Sequence, residues 1–329
     1  MQSTRRQQVS YCLDGTCVAD IVRVSAPPSI APIGIPTARE FFFSDAPLDT
    51  EAWAAREKAF FRSIRLKNGT FKTTYAHRLD SLNEIVSPLL SRDHPLEIMD
   101  VAVSSGIATL EWMESLRAAD IDFRMTAGDL CVRAFLLSFG SLLNVLVDRG
   151  GYPMQFDLAG RAIPYPPPRR MAVLLPLFVG LHALRWILPS IFAATFKRSA
   201  VDGQARYLRR LGVSCQHADL VSPRLRQQQS LTILDDDLLA TGAYENRFHV
   251  IRAANVLNRS YFTEENLGAM IDNLRRRLRP GGMLIICRTH EDGTNHGTVY
   301  RLNAQNAFDA VVSIGHGSEV DPLVRQRRG

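Results

Sequence analysis

Cysteine is scarce in this chain. Five residues among 329 (Cys12, Cys17, Cys131, Cys215 and Cys287) are too few and too scattered for a disulfide framework. Only Cys12 and Cys17 lie close together, and no second Cys or His pair follows them, so no metal site is expected and the thiols read as reduced. The first 30 residues lack an apolar core of about 7–15 residues, so no signal peptide is expected and the cytoplasm is the expected compartment. Internal repeats are absent. Charge of one sign is only slightly in excess, with 39 Lys+Arg against 33 Asp+Glu giving +6. Basic residues gather at Lys197, Arg198, Arg206, Arg209 and Arg210, at Arg275–Arg277 with Arg279, and at Arg325, Arg327 and Arg328. None of these clusters interleaves aromatics, so they read as solvated helix faces and nucleic acid is not an expected partner.

What remains is the composition of ordinary globular protein, 46% apolar and 22% charged, which excludes disordered, collagen-like and polytopic membrane classes. Residues 1–50 carry Pro27, Pro28, Pro32, Pro36 and Pro47 with little periodicity and read as an extended or poorly ordered arm. Residues 51–94 place apolar side chains at helical spacing, around Ala52–Phe61 and Leu79–Leu90, and read as a helical cap. From residue 95 to 329 the rhythm is that of one α/β domain. Leu96–Val101 is a short apolar strand, Ala102–Gly106 a small-residue turn, Ile107–Ala119 an amphipathic helix, and Phe123–Asp129 a second strand ending in an acid. Such a βαβ unit has parallel strands. Further strands are expected at 231–234, 248–253, 283–287, 297–302 and 308–314, with a helix around 267–278.

An insertion at about 141–196 breaks this rhythm. Its first part reads as a hairpin, Leu142–Val147 and Tyr152–Asp157 around a Gly-Gly turn. Its second part, residues 171–196, holds 19 apolar residues of 26 with Arg185 as its only formal charge. That length could span a bilayer, yet a central arginine costs roughly 2.5–3.5 kcal/mol on insertion scales, and Pro176 and Pro189 are expected to break the helix. Three readings stand: a spanning helix, a buried core or dimer helix, and an interfacial segment or wall of a lipophilic pocket. The basic run after it favours an anionic membrane surface, the inner face of the membrane being the expected one.

The turn after the first strand carries most of the chemistry. A turn feeding a helix N-terminus offers free backbone N–H groups, and small residues let a ligand approach the main chain. Asp100, Ala102, Ser104 and Gly106 supply that surface, although the spacing is not the dinucleotide G-x-G-x-x-G. Asp129 lies 23 residues past Gly106, where an acid can accept both hydroxyls of a ribose; its alternative is a helix N-cap. In Asp235-Asp-Asp, one acid can meet an adenine amine while the others serve the turn. Asn255 ends an apolar strand, and Arg279-Pro-Gly-Gly282 turns a helix into a strand.

This series resembles the motifs of class I S-adenosylmethionine-dependent methyltransferases over about residues 95–320. The stretch Asn255-Val-Leu-Asn-Arg-Ser-Tyr-Phe is locally similar to chemotaxis-receptor glutamate methyltransferases. The resemblance implies a Rossmann-like, doubly wound α/β sheet of seven strands with the last one, Phe308–Ile314, antiparallel. It also implies S-adenosylmethionine over the Asp100–Gly106 turn, Asp129 at the ribose and Asp236 or Asp237 at the adenine. Where the family has G-x-G-x-G, this chain has Ala102-Val-Ser-Ser-Gly106, which puts two Cβ atoms beside the cofactor.

A methyl donor of this kind is intrinsically electrophilic, so a protein chiefly aligns a nucleophile and excludes water, with an optional base. Candidate bases or positioning groups are Asn255, Tyr261, His290 and Glu319. Tyr75 and Arg78, in the cap, are candidates for the cofactor's carboxylate, Asn255 for the cofactor as well, and Gly315–Asp321 is an unusual polar turn. His182 and His249 sit in apolar runs and read as structural. The expected activity is methyl transfer to an apolar small-molecule or lipid acceptor. Protein carboxyl methylation and a non-catalytic binding module with this fold are its rivals.

Overall fold

The computed structural model describes residues 9–13, 16–20, 34–44, 47–48, 50–72, 75–166, 175–196, 212–240 and 244–327. The prolines of the arm at 27, 28 and 32, the basic cluster from Lys197 to Arg210, residues 171–174, Thr74 and Arg328 lie outside the described residues. The chain divides into two units, Met1–Gly34 and Ile35–Gly329. In the first, β1 (Val9–Leu13) and β2 (Thr16–Asp20) form an antiparallel hairpin in which Cys12 and Cys17 stand opposite each other.

The second unit contains two sheets. The larger has seven strands: β3 (Leu96–Val101), β4 (Phe123–Asp129), β10 (Leu231–Asp235), β11 (Phe248–Ala254), β12 (Leu278–Thr289), β13 (Asn295–Leu302) and β14 (Phe308–Ile314). Their spatial order is β10-β4-β3-β11-β12-β13-β14. The first five of that order run parallel, and the near-continuous apolar runs of β3, β4, β11 and β12 follow from burial on both faces. The fold is therefore α/β and Rossmann-like. The last strand pairs antiparallel, as expected; its partner β13 is itself antiparallel to β12, so six strands share one direction and β13 is the reversed one.

Helices cover both faces of this sheet. On one side α3 (Asp80–Val86) and α4 (Ile107–Ala118) bury Leu82, Val86, Trp112, Met113 and Leu116 against Ile98, Met125 and Ile285. On the other, α6 (Glu264–Arg277) and α7 (Asp321–Gln326) pack Leu267, Ile271, Leu274 and Val324 against Ile251, Leu284 and Tyr300. Thr263 caps α6, acids fill its first turn and arginines its last, an arrangement that suits the helix dipole. Arg277 departs from the expected solvated face. One helical turn brings it back under the sheet, where it is buried against Asp236.

Between β4 and β10 the chain builds a second, antiparallel sheet of order β8-β7-β6-β5-β9. Its strands are β5 (Arg133–Phe139), β6 (Leu143–Asp148), β7 (Pro153–Leu158), β8 (Arg161–Pro164) and β9 (Val213–Asp219). The expected hairpin is the β6–β7 pair. One face of this sheet packs against α1 (Ala38–Phe42) and α2 (Glu51–Ser63) through Phe41, Trp53, Phe60 and Phe61. The other packs against α5 (Leu175–Phe196) through Leu181 and Leu188. The helical cap is thus split: α2 serves the second sheet and α3 the first.

Helix α5 is continuous, which corrects the expected breaks at both prolines. Pro176 stands in the first turn, where an N–H has no helical acceptor, and Pro189 leaves one missing rung inside a helix that continues to Phe196. Among the described residues no helix is long and apolar enough to cross a membrane.

Candidate functional site

The site begins with the backbone after β3. Ala102, Ser104 and Gly106 all adopt left-handed φ values, +55°, +57° and +79°. The alternation that glycines would allow is therefore kept by two residues that carry side chains. At Gly106 the requirement is also steric, because a Cβ there would run into the Leu225 side chain. The turn delivers the chain into the N-terminus of α4, where free N–H groups and the dipole face the C-terminal edge of the sheet. Among the described residues, four buried side-chain atoms of the turn and its surroundings have no hydrogen-bond partner: the hydroxyls of Ser104 and Ser105, Glu111 Oε2 and Arg78 Nε.

The acids expected at the cofactor are each held by a cation or a backbone group. Asp100 receives Arg252 Nε at 2.9 Å and a terminal guanidinium nitrogen at 2.6 Å, together with the Thr109 hydroxyl at 2.7 Å. Arg252, 1% exposed, also donates to Asn83 and to the Ala108 carbonyl, and lies 4.1 Å over the Trp112 ring. Asp129 accepts from Lys72 Nζ at 2.9 Å, from Ser104 N–H at 2.8 Å and from Cys131 N–H at 3.2 Å. Lys72 is likewise 1% exposed and makes a further contact to the Ser104 carbonyl at 3.2 Å.

The three successive acids after β10 take separate duties. Asp235 accepts from the Val132 and Arg133 N–H groups and so clamps the start of β5 to the end of β10. Asp236 forms a two-pronged pair with Arg277 at 2.7 and 2.9 Å. Asp237 is exposed and accepts from Leu239 N–H. Of the residues expected at the adenine, Asp237 alone has a carboxylate free of a cation.

Of the cap residues, Arg78 lies within electrostatic reach of Asp100 and Arg252, and Tyr75 stays exposed beneath the Lys58 ammonium. Burial first, and then the charge of Arg252, hold the Arg78 guanidinium below its usual value, opposed by Asp100, Cys287 and Glu111. Burial likewise raises the Glu111 carboxyl, although the His77 N–H donates to it at 2.7 Å.

A cleft of about 460 Å³ opens along the same edge of the sheet, at the end of β12. Its apolar floor is Leu257 and Ile286, and its polar lining includes Arg288, His290, His296, His316 and Glu319. Two strand spacings, about 10 Å, separate β12 from β3. The polar turn Gly315–Glu319 supplies His316 and Glu319. Ring centroids of His290 and His296 lie 4.3 Å apart, and those of His296 and His316 4.7 Å. Partial burial first, then the two neighbouring imidazoles, keep His296 below its ordinary value. Glu319 pairs with Arg288 at 2.6 Å and accepts from Arg259 N–H. Among the described residues no group of three His, Cys, Asp or Glu side chains is arranged to hold a metal ion.

The cleft thus brings His290 and Glu319 together. Asn255, at φ +62°, stands beside it and fixes the end of β12, accepting from Thr289 N–H at 2.8 Å. Tyr261 is 67% exposed and does not line it. Lys72, Arg252, Arg277 and His296 carry no signal in the sequence, since each acts on a partner from a distant segment. His316 was legible only as part of an unusual turn.

Neither a protein-family model nor a curated protein matches the sequence. Solved structures similar to it include the C-methyltransferase domain of the citrinin polyketide synthase, 12% identical over 65% of this chain and 35% of that one, TM-score 0.31. An S-adenosylmethionine-dependent methyltransferase from Mesorhizobium loti is 12% identical over 64% and 56%, TM-score 0.28. A protein from Pyrococcus horikoshii OT3 is 12% identical over 77% and 85%, TM-score 0.31. The chain thus spans about a third and about half of the length of the first two.

Proposed function

We propose that this protein transfers a methyl group from S-adenosylmethionine to a small acceptor seated in the histidine-lined cleft. One observation carries the reading: the left-handed alternation at Ala102, Ser104 and Gly106, with Asp129 on the neighbouring strand. The turn and its surroundings fit the amino-acid end of such a cofactor, since among the described residues buried atoms of Ser104 and Ser105 in the turn, and of Arg78 and Glu111, have no partner. Asp129 and Asp237 are the groups for its ribose and adenine. When bound, the cofactor supplies a methyl group on a positively charged sulfur.

The chain's own part is then alignment and proton handling. Leu257 and Ile286 hold an apolar portion of the acceptor. An imidazole of His290, His296 or His316 accepts the proton that an acceptor hydroxyl or amine gives up; at His296 partial burial and the two neighbouring imidazoles lower the basicity of the ring. The Arg288–Glu319 pair forms the polar wall, and Asn255 holds the strand end that carries Thr289.

Calorimetry with S-adenosylhomocysteine tests the reading, together with transfer of labelled methyl groups to a panel of phenols, amines and carboxylates. Binding that weakens at least tenfold in Asp129→Asn, and label stable to mild base, are expected. Base-labile label would redirect the reading to carboxyl acceptors. Absence of binding at millimolar ligand in both the wild type and Lys72→Met, each shown to be folded, refutes it.

A further inference from the structure

Resting on that reading, we infer that Lys72 is a specificity-determining residue of the nucleoside end of the site: its ammonium holds the place of the ribose hydroxyls on Asp129 and has to leave before a nucleoside binds. A carboxylate offers about four acceptor positions. Three on Asp129 are filled, by Lys72 Nζ, Ser104 N–H and Cys131 N–H. A ribose brings two hydroxyl donors, so one vacancy is too few. The two backbone donors belong to the turn and to the start of the second sheet and stay where the fold puts them. Lys72 is the donor that can yield. Its main chain is tied to the Ile64 carbonyl, while the ammonium rides on four rotatable methylenes.

The same ammonium also bonds the Ser104 carbonyl, so its departure frees the outer rim of the turn as well as the acid. The chain thus carries its own occupant of the nucleoside subsite. A ligand that bonds only the turn, such as free homocysteine, leaves the lysine in place, whereas one that brings a ribose displaces it.

Two measurements test this on the full chain. Calorimetry with adenosine and with S-adenosylhomocysteine on the wild type and Lys72→Met is expected to show at least tenfold tighter binding by the variant, a gain lost in Lys72→Met/Asp129→Asn. Because removing the lysine leaves Asp129 buried without its cation and can cost the fold, the second measurement uses the wild type. Acetylation of Lys72, followed by mass spectrometry, is expected to rise at least fivefold on adding S-adenosylhomocysteine and to stay unchanged with homocysteine. If the wild type binds, Lys72→Met binds equally or more weakly, and Lys72 acetylation is unmoved, the inference is overturned while the proposed function stands. If neither protein binds either ligand, both fall.

Discussion

Asp100 and Arg252 offer the most exacting test of how this site is held together. Arg252 makes four hydrogen bonds, two of them to Asp100, and both side chains are almost fully removed from water. Two charges in such a place are stable only as a pair. Asp100→Asn strands the guanidinium and Arg252→Met strands the carboxylate, so each single variant is expected to lose about 3–5 kcal/mol. In the double variant neither charge remains. What is lost is a partner for Asn83 and for the Ala108 carbonyl, since an amide oxygen at position 100 still accepts from the Thr109 hydroxyl, a cost of about 1–3 kcal/mol in all. The singles therefore sum to about 6–10 kcal/mol and the double falls several kcal/mol short of that sum, the signature of direct coupling. Urea unfolding followed by circular dichroism measures it, and thermal midpoints of the singles are expected to fall by about 6–20 °C. Singles that each cost under about 1 kcal/mol, or a double whose cost equals their sum, would refute the pairing as the source of stability.

Two further outcomes follow from the turn and from the helix behind it. Ala102→Gly and Ser104→Gly relieve a left-handed strain of about 1–2 kcal/mol and return about 0.4–1 kcal/mol to unfolded-chain entropy, so each is expected to stabilise by up to about 1.6 kcal/mol in thermal denaturation; destabilisation would show that the left-handed backbone is not strained. Glu111 has a folded-state pKa raised above its ordinary 4.5, so the folded state keeps its proton longer than the unfolded chain. Its contribution is harmless in acid and is lost as pH climbs from about 4.5 through the raised value. Glu111→Gln should thus be more stable than wild type at pH 7 and equal to it near pH 3, by urea unfolding at both; equality at pH 7 would show the burial to be without cost.

The parallel core was legible because its strands are short apolar runs punctuated by small residues and acids. Leu96–Val101, Phe123–Asp129 and Phe248–Ala254 announce themselves by composition. The second sheet was half legible. Its β6–β7 hairpin has a Gly-Gly turn, but β9 exposes much of its length and reads as Val-Ser-Cys-Gln-His-Ala-Asp, with no alternation to recognise. Arg133–Phe139 follows Asp129 so closely that an acid ending one strand looks equally like the cap of a helix. In the site, the turn was visible as small residues, whereas the left-handed backbone at Ala102 and Ser104 was hidden because no glycine marks it. The ion pairs were invisible for a simpler reason: Lys72 and Asp129 are 57 residues apart, Asp100 and Arg252 are 152 apart, and local pattern carries no information over such distances.

The second sheet also governs the order in which the molecule can be assembled. Strand β4 ends at Asp129 and its neighbour β10 starts at Leu231, about a hundred residues later, so a chain emerging from the ribosome completes β3, α4 and β4 long before β10 exists. Until then one long edge of β4 is bare. The intervening residues shorten the gap by folding on themselves, since β5 and β9 pair and bring residues 133 and 219 together. The closure entropy of a loose hundred-residue loop is thereby replaced by that of a short one. Asp235 then fastens the end of β10 to Val132 and Arg133. The segment that interrupts the parallel sheet in sequence is thus, in time, the splint on which its edge strand is set.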